Sequence, residues 1–296
     1  MRLVSPGAVW RVVPAVFVLI WSTGFIVARY GMPHAPPMGF LSWRYALSIA
    51  CFGVWIGLSG ARWPQGRAAW GHLAVTGLLM QAGYLGGVWA AVRLGLGAGA
   101  VALIVGLQPV LTALWLAARA APGDGGRVAP LQWAGLALGL AGLALVVGRK
   151  LGQGEVNGPN LLLALLALAS ITVGTLYQKR FVAPCDARTA GCVQMLAALA
   201  ATLPLAALET APIDWHAEMV GALAWSVLGL TLGASSLLYL MIQRGAAAAV
   251  TSWLYLVPPT TALMAAVLFG EPLGLDVLLG TALTAAGVAL VQRAAR

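Results

Sequence analysis

The sequence predicts an all-α membrane protein of ten transmembrane helices, arranged as two inverted-topology five-helix repeats with the N- and C-termini both on the cytoplasmic side. Three observations predict it. Of the 296 residues, 61% are hydrophobic and only 8% are charged, with a mean hydropathy of +0.90. A soluble domain carries about 25% charged residues, so no water-facing shell could be built around a core from this composition. Apolar stretches of about twenty residues recur along the whole chain, the length a helix needs to cross the hydrocarbon, whereas barrel strands would show alternating segments of roughly ten. Finally, the chain resembles itself at a shift of about 150 residues, which divides it into halves 1–150 and 151–296 rather than into a solenoid.

The spans follow from Gly, Pro and Arg punctuation. Segment 11–30 has the look of a signal peptide, but no small-x-small cleavage site follows it and further spans come at once, so it is a helix. Segment 37–59 starts at Pro36-Pro37 and stops at Gly60, and 69–92 lies between Arg67 and Arg93. Segment 97–119 contains Pro109 and ends on Arg119, and 130–148 begins at Pro130 and ends before Arg149-Lys150. In the second half, 159–180 begins at Pro159 and ends on Lys179-Arg180, and 187–208 lies between Asp186 and Glu209. Segment 219–243 stops before Arg244, 247–270 contains Pro258, and 274–293 ends on Arg293. The connections are too short for a second domain, so function must sit between the helices or at their ends.

Charge sets the orientation. With a cytoplasmic N-terminus the inner ends carry Arg2, Arg11, Arg62, Arg67, Arg119, Arg127, Lys179, Arg180, Arg188, Arg244, Arg293 and Arg296. The outer ends carry only Arg29, Arg44, Arg93, Arg149 and Lys150, together with Glu155, Glu209, Asp214, Glu218, Glu271 and Asp276. Twelve basic residues against five is the bias expected of an inner face. Trp10, Trp55, Trp70, Trp115 and Trp133 fall near the same inner ends, where indoles favour headgroups. The net charge of +9 thus serves topology, and no basic face with interleaved aromatics suggests nucleic acid.

Segment 89–115, WAAVRLGLGAGAVALIVGLQPVLTALW, lies over 239–265, YLMIQRGAAAAVTSWLYLVPPTTALMA, setting Pro109 against Pro258 and Thr112 against Thr261. Arg44 falls opposite Gln194, and Gly135 and Gly142 match Gly280 and Gly287. Five helices per half is an odd number, so the second half enters the membrane from the opposite side. Inverted repeats of this kind mark alternating-access transporters, because exchanging the conformations of the halves turns an outward-open cavity inward.

The same residues carry a family resemblance. IWSTGFIVARYG (20–31) followed by Arg44, GAGAVALIVGLQPVLTALW (97–115), QWAGLALGLAGLALV (132–146) and PPTTALMAAVLFGEPLGLDVLLGTALTAAGVALV (258–291) together resemble the EamA type of the drug/metabolite transporter superfamily. Each motif is Gly/Ala/Leu-rich, and their order and doubling are what is specific. The resemblance implies export of amino acids, aromatic or broad-range, and related small metabolites across the bacterial inner membrane by a multi-pass protein. It also admits drugs, sugars and nucleotide sugars. One departure concerns Glu: members often carry it after the fourth helix as well as the ninth, and here Glu271 is matched only by Asp124.

Arg44 lies about seven residues into the second span, where an Arg is costly unless it meets water, a partner or a substrate. It suits bidentate capture of a substrate carboxylate; the alternative is snorkelling to outer headgroups. Pro109 and Pro258 each free a carbonyl one turn earlier, which fits hinges beside a cavity or static kinks. Gln108 and Gln194 are interior amides. Trp21, Tyr84, Trp89, Tyr177, Tyr239 and Trp253 lie within spans and suit walls for a large apolar side chain, or plain packing. Gly135, Gly139, Gly142, Gly280, Thr284 and Gly287 let helices approach closely, as scaffold or homodimer surface. Glu271-Pro272 fits the start of the tenth helix, complementing its dipole.

Other chemistry finds no support. There is no GxxxxGK[ST], HExxH or GxSxG pattern, and His34, His72 and His216 are scattered at span ends, so no metal or cofactor is expected. Cys51, Cys185 and Cys192 lack metal-ligand spacing and read as free thiols packed like small hydrophobes. A membrane-embedded lipid-modifying enzyme would need polar catalytic groups clustered at one face, and the sequence has none. No Asp or Glu lies mid-span, so the energetics expected are facilitated efflux down a concentration gradient, or coupling through a site the sequence does not reveal.

Overall fold

A computed structural model of the chain describes residues 6–118, 130–152, 155–234, 237 and 254–294. The described residues are helical with short connections, as a bilayer demands when each span must satisfy its own backbone groups. The helices are α1 (Pro6–Gly31), α2 (Pro37–Ser59), α3 (Arg67–Arg93), α4 (Ala98–Val105), α5 (Gln108–Ala118), α6 (Pro130–Gly152), α7 (Gly158–Phe181), α8 (Ala187–Leu208), α9 (Ala217–Ala234), α10 (Val257–Phe269) and α11 (Leu275–Ala294). Seven of these are long and apolar enough to cross a membrane; Ala98–Thr112, Val257–Phe269 and Leu275–Leu290 are shorter apolar helices.

Local sequence explains the ends. Gly60 and Gly270 close α2 and α10 in the left-handed conformation that frees a helix to stop. Asn157 and Asn160 form a reciprocal capping box at the start of α7, each side-chain oxygen accepting the other's backbone N–H at 2.9 Å. Leu58 and Val267 are among the many apolar side chains left exposed, which a lipid surround permits.

The neighbours obey a two-fold exchange. α2 packs on α8, α6 on α11, and α4 on α10, while α3 lies against α7 as α9 lies against α1. One end of the bundle gathers the connections 32–36, 94–97, 155–157, 209–216 and 270–274, tied by His34 to Asp214 and by Asn160 to Leu94. α1 runs toward that end and α7 runs away from it, so the halves are antiparallel. At the other end, 60–66 and 182–186 border a recess of about 940 Å³.

The glycine faces expected as scaffold or dimer surface close on each other within the chain. A Cβ at Gly142 would collide with the Gly280 carbonyl, and one at Gly287 with the Gly135 carbonyl. Thr284 of α11 donates its hydroxyl to Gly280 O of its own helix at 2.9 Å and to Gly139 O of α6 at 3.4 Å, and α6 and α11 meet backbone to backbone.

Candidate functional site

The interior is built around irregularities that repeat in the two halves. α3 carries a π-helical turn at Leu78–Gly83, and α9 carries its counterpart at Ser226–Ala234. Such turns widen the helix and leave carbonyls for side chains. The Tyr45 hydroxyl donates to Gln81 O at 2.8 Å, and the Thr231 hydroxyl donates to Ser226 O at 2.9 Å. Small residues seat α3 between its neighbours: Gly77 lies on the Gln194 backbone, and Gly87 on the Leu163 carbonyl. Nothing in the hydrophobic pattern distinguishes these turns, because a π turn shifts the apolar face by only one residue.

Between the two π turns lies a cavity of about 130 Å³. Trp21, Phe25, Arg44, Gln81, Tyr84, Trp89, Ile171, Met195, Leu230 and Thr231 are among its walls. Trp21, Tyr84 and Ile171 each stand about ten residues, or about 15 Å, from the end of their helices, which puts the cavity at mid-depth. Trp89 is held in place by stacking on Phe40, with ring centroids 4.3 Å apart. Arg44 is 6% exposed. Its Nη2 donates to Thr231 Oγ1 at 3.4 Å, its Nε has no partner, and it forms no ion pair among the described residues. Ser22, Ser48 and Ser226 are further buried hydroxyls whose oxygens have no partner. A guanidinium so placed keeps hydrogen-bond donor capacity that no described protein group uses.

A second cavity of about 90 Å³ shares Trp21, Phe25, Tyr84 and Ile171 with the first. Its floor is the pair of prolines. The span around Pro109 is interrupted at Gly106-Leu107, between α4 and α5, and Pro258 opens α10 after a short 3-10 turn at Leu254–Leu256. The two breaks touch, since a Cβ on Gly106 would come within 2.8 Å of Pro258 Cγ. Gln108 borders this cavity and donates to Thr112 and Thr175 hydroxyls at 3.3 Å, joining α5 to α7 across the halves.

The structure thus gathers Arg44, Trp21, Tyr84, Trp89, Gln108, Pro109 and Pro258 around one interior tract. Tyr177 lies elsewhere: its hydroxyl is 2.8 Å from His72 Nδ1, near the end of α7 beside the 60–66 connection. Gln194 is at the crossing of α8 with α3 and does not line either cavity. Tyr239 and Trp253 lie outside the described residues.

Three sequence expectations change. Glu271, expected at the start of the helix it precedes, also reaches the other half: its carboxylate accepts Ala98 N–H at 3.0 Å, capping α4. Glu209 does the same for α2, accepting from Met38 and Gly39 at 3.0 and 2.8 Å. Helix starts in the first half, which has no acid before Asp124, are therefore complemented by carboxylates of the second. His34 and His216, far apart in sequence, stack with centroids 4.5 Å apart, and His34 also meets Asp214 at 3.1 Å and Glu218 at 3.2 Å. Ligand atoms of His34, His216 and Glu218 fall within 4.8 Å of one another. Rings 11° from parallel direct their lone pairs in separate planes, which suits an electrostatic tie better than one shared ion. Among the thiols, Cys192 is buried as expected, Cys51 is half-buried, and Cys185 is exposed in the 182–186 connection.

Comparison with known proteins matches the chain to the EamA-like transporter family twice, over residues 9–148 and 159–293. It is 26% identical over 258 residues to YedA, an uncharacterized inner membrane transporter of Escherichia coli K12, covering 86% of this chain and 81% of that protein. It is 26% identical over 290 residues to YvbV, an uncharacterized transporter of Bacillus subtilis 168, covering 94% and 90%. A solved crystal structure shares the fold with a TM-score of 0.65 at 18% identity, over 95% of this chain and 96% of that one.

Proposed function

The chain belongs to the EamA-like transporter family, as a multi-pass inner-membrane transporter, and from that premise we propose that it exports small amphipathic metabolites bearing a carboxylate, amino acids and their derivatives among them. The observation that carries the substrate class is Arg44: a buried guanidinium with unused donors on the wall of an aromatic, mid-depth cavity. In this reading Arg44 fixes the carboxylate by two charge-assisted hydrogen bonds, while Trp21, Tyr84 and Trp89 receive an apolar or aromatic side chain. Alternating access proceeds by movement of one half against the other about the contact of Gly106 with Pro258, with ten spans and both termini cytoplasmic. The antiparallel halves and the matched helix breaks support it.

The test is flux in liposomes containing only this protein, with a labelled panel of aromatic and aliphatic carboxylates and their uncharged amides. Carboxylates are expected to show saturable flux, and Arg44→Ala to weaken them at least about tenfold more than the amides, the scale of a lost charge-assisted pair. Equal losses for both would remove the carboxylate role, and flux of neither would remove the substrate class.

A further inference from the structure

A zwitterion brings two charges into the membrane, and the interior of this protein answers one of them. The chain's eight carboxylates are Asp124, Glu155, Asp186, Glu209, Asp214, Glu218, Glu271 and Asp276. Each of the described seven sits in a connection or within the first two residues of a helix, and Asp124 stands between α5 and α6. None of the described seven lines either interior cavity. Residues 238–253, outside the described set, contain no Asp or Glu but do contain Arg244. Glu209, which reaches the start of α2, is engaged by the Met38 and Gly39 amides, about 8 Å toward the helix start from Arg44. Among the described residues, the site therefore holds one buried positive charge that no carboxylate balances.

An ammonium group entering beside Arg44 would find no carboxylate among the described lining, only aromatic faces and neutral oxygens such as that of Gln81. It would also lie within a few ångströms of a like charge in a low-dielectric site, where repulsion is strong. A carboxylate whose remainder is uncharged satisfies Arg44 and brings no second charge. We infer that the preferred substrates are amphipathic organic monoanions rather than free zwitterionic amino acids, and that each turnover moves one negative charge outward. The inference rests on the Arg44 cavity being the substrate site.

The energetic consequence follows from charge conservation. Over a full cycle the protein returns to its starting state, so the net charge moved is that of the substrate, whatever Arg44 does on the way. An inside-negative potential then drives export directly, worth about a fifty-fold concentration ratio per 100 mV for one charge. Export needs no acid in the membrane interior to carry a proton, in keeping with the placement of the seven described carboxylates.

The experiment compares N-acetyl-L-phenylalanine with L-phenylalanine, which share side chain and carboxylate and differ in the ammonium group. Labelled efflux from liposomes containing the full-length protein is followed at neutral pH, with a potassium gradient and valinomycin setting either no potential or an inside-negative one; protein-free liposomes give the leak. The acetylated compound is expected to leave at least about tenfold faster. Its efflux should quicken several-fold under the potential while that of phenylalanine does not. Arg44→Lys, which keeps the charge, should retain the potential dependence at lower rate. Phenylalanine moving as fast as its acetyl derivative, or acetyl-phenylalanine flux indifferent to potential, overturns the monoanion inference. If Arg44→Gln abolishes both fluxes in that case, the Arg44 site survives without it. Absence of protein-dependent flux for both compounds overturns the site and the inference together.

Discussion

Replacing Arg44 by Met separates what the charge does for transport from what the side chain does for the fold. A structural Arg would be paired, and losing it would leave its partner orphaned. Arg44 holds a single 3.4 Å contact to a hydroxyl that is already donating to Ser226 O, so little is left unpaired when it goes. A buried, unpaired guanidinium carries a desolvation cost that an apolar side chain of similar size does not. The expected outcome for Arg44→Met is therefore an unchanged or raised melting temperature in detergent together with lost carboxylate flux. A melting temperature lowered by several degrees would instead make Arg44 a structural clamp.

Among the elements, the broken helices and the end ties have separate roles. Pro258 removes one backbone donor at the start of α10 and rests against Gly106, where a side chain could not fit. Pro258→Ala restores the N–H and removes the ring that rests on Gly106, so turnover should slow several-fold while substrate affinity, read by equilibrium binding, stays near wild type; normal turnover would leave the prolines as static kinks. At the end that gathers His34, the imidazole is raised above its ordinary 6.5, first by the hydrogen bond to Glu218 and then by that to Asp214. His216 stacks on it, and Arg93 lies close by, bonded to the Met32 and Pro33 carbonyls. A raised value means that the tie contributes in full below about pH 6.5 and fades as pH rises through the shifted value. The melting-temperature difference between wild type and His34→Gln should then be largest near pH 6 and shrink toward pH 9. A difference constant across that range would contradict a tie made by the protonated ring.

For the whole molecule, orientation is the property with the simplest test. Cys185 is the exposed thiol, in the connection that the Lys/Arg count assigns to the cytoplasm, while Cys51 and Cys192 lie within α2 and α8. Burial and the adjacent Asp186 raise its thiol above the ordinary value, so labelling is best done at mildly alkaline pH. A membrane-impermeant maleimide should modify Cys185 in inside-out vesicles and spare it in intact spheroplasts; the reverse would invert the topology. The glycine faces of α6 and α11 are occupied by each other. A homodimer must therefore use other surfaces.

The sequence by itself determined the membrane class, the apolar segments, the two halves and the family, and it already singled out Arg44, Trp21, Tyr84, Trp89 and the two prolines. Those properties are local or periodic: a bilayer obliges each span to satisfy its own backbone, so length, hydropathy and punctuation are written residue by residue. The tertiary structure alone decided which polar groups meet. That Tyr177 turns to His72, that Glu271 caps α4, and that His34 joins His216 and two carboxylates depends on the register between segments 105 to 184 residues apart. Gly- and Ala-rich helices do not encode that register in their own pattern. It is set by which backbones can approach, at Gly77, Gly87, Gly106 and Gly142, and close packing of the halves then fixes where each side chain ends.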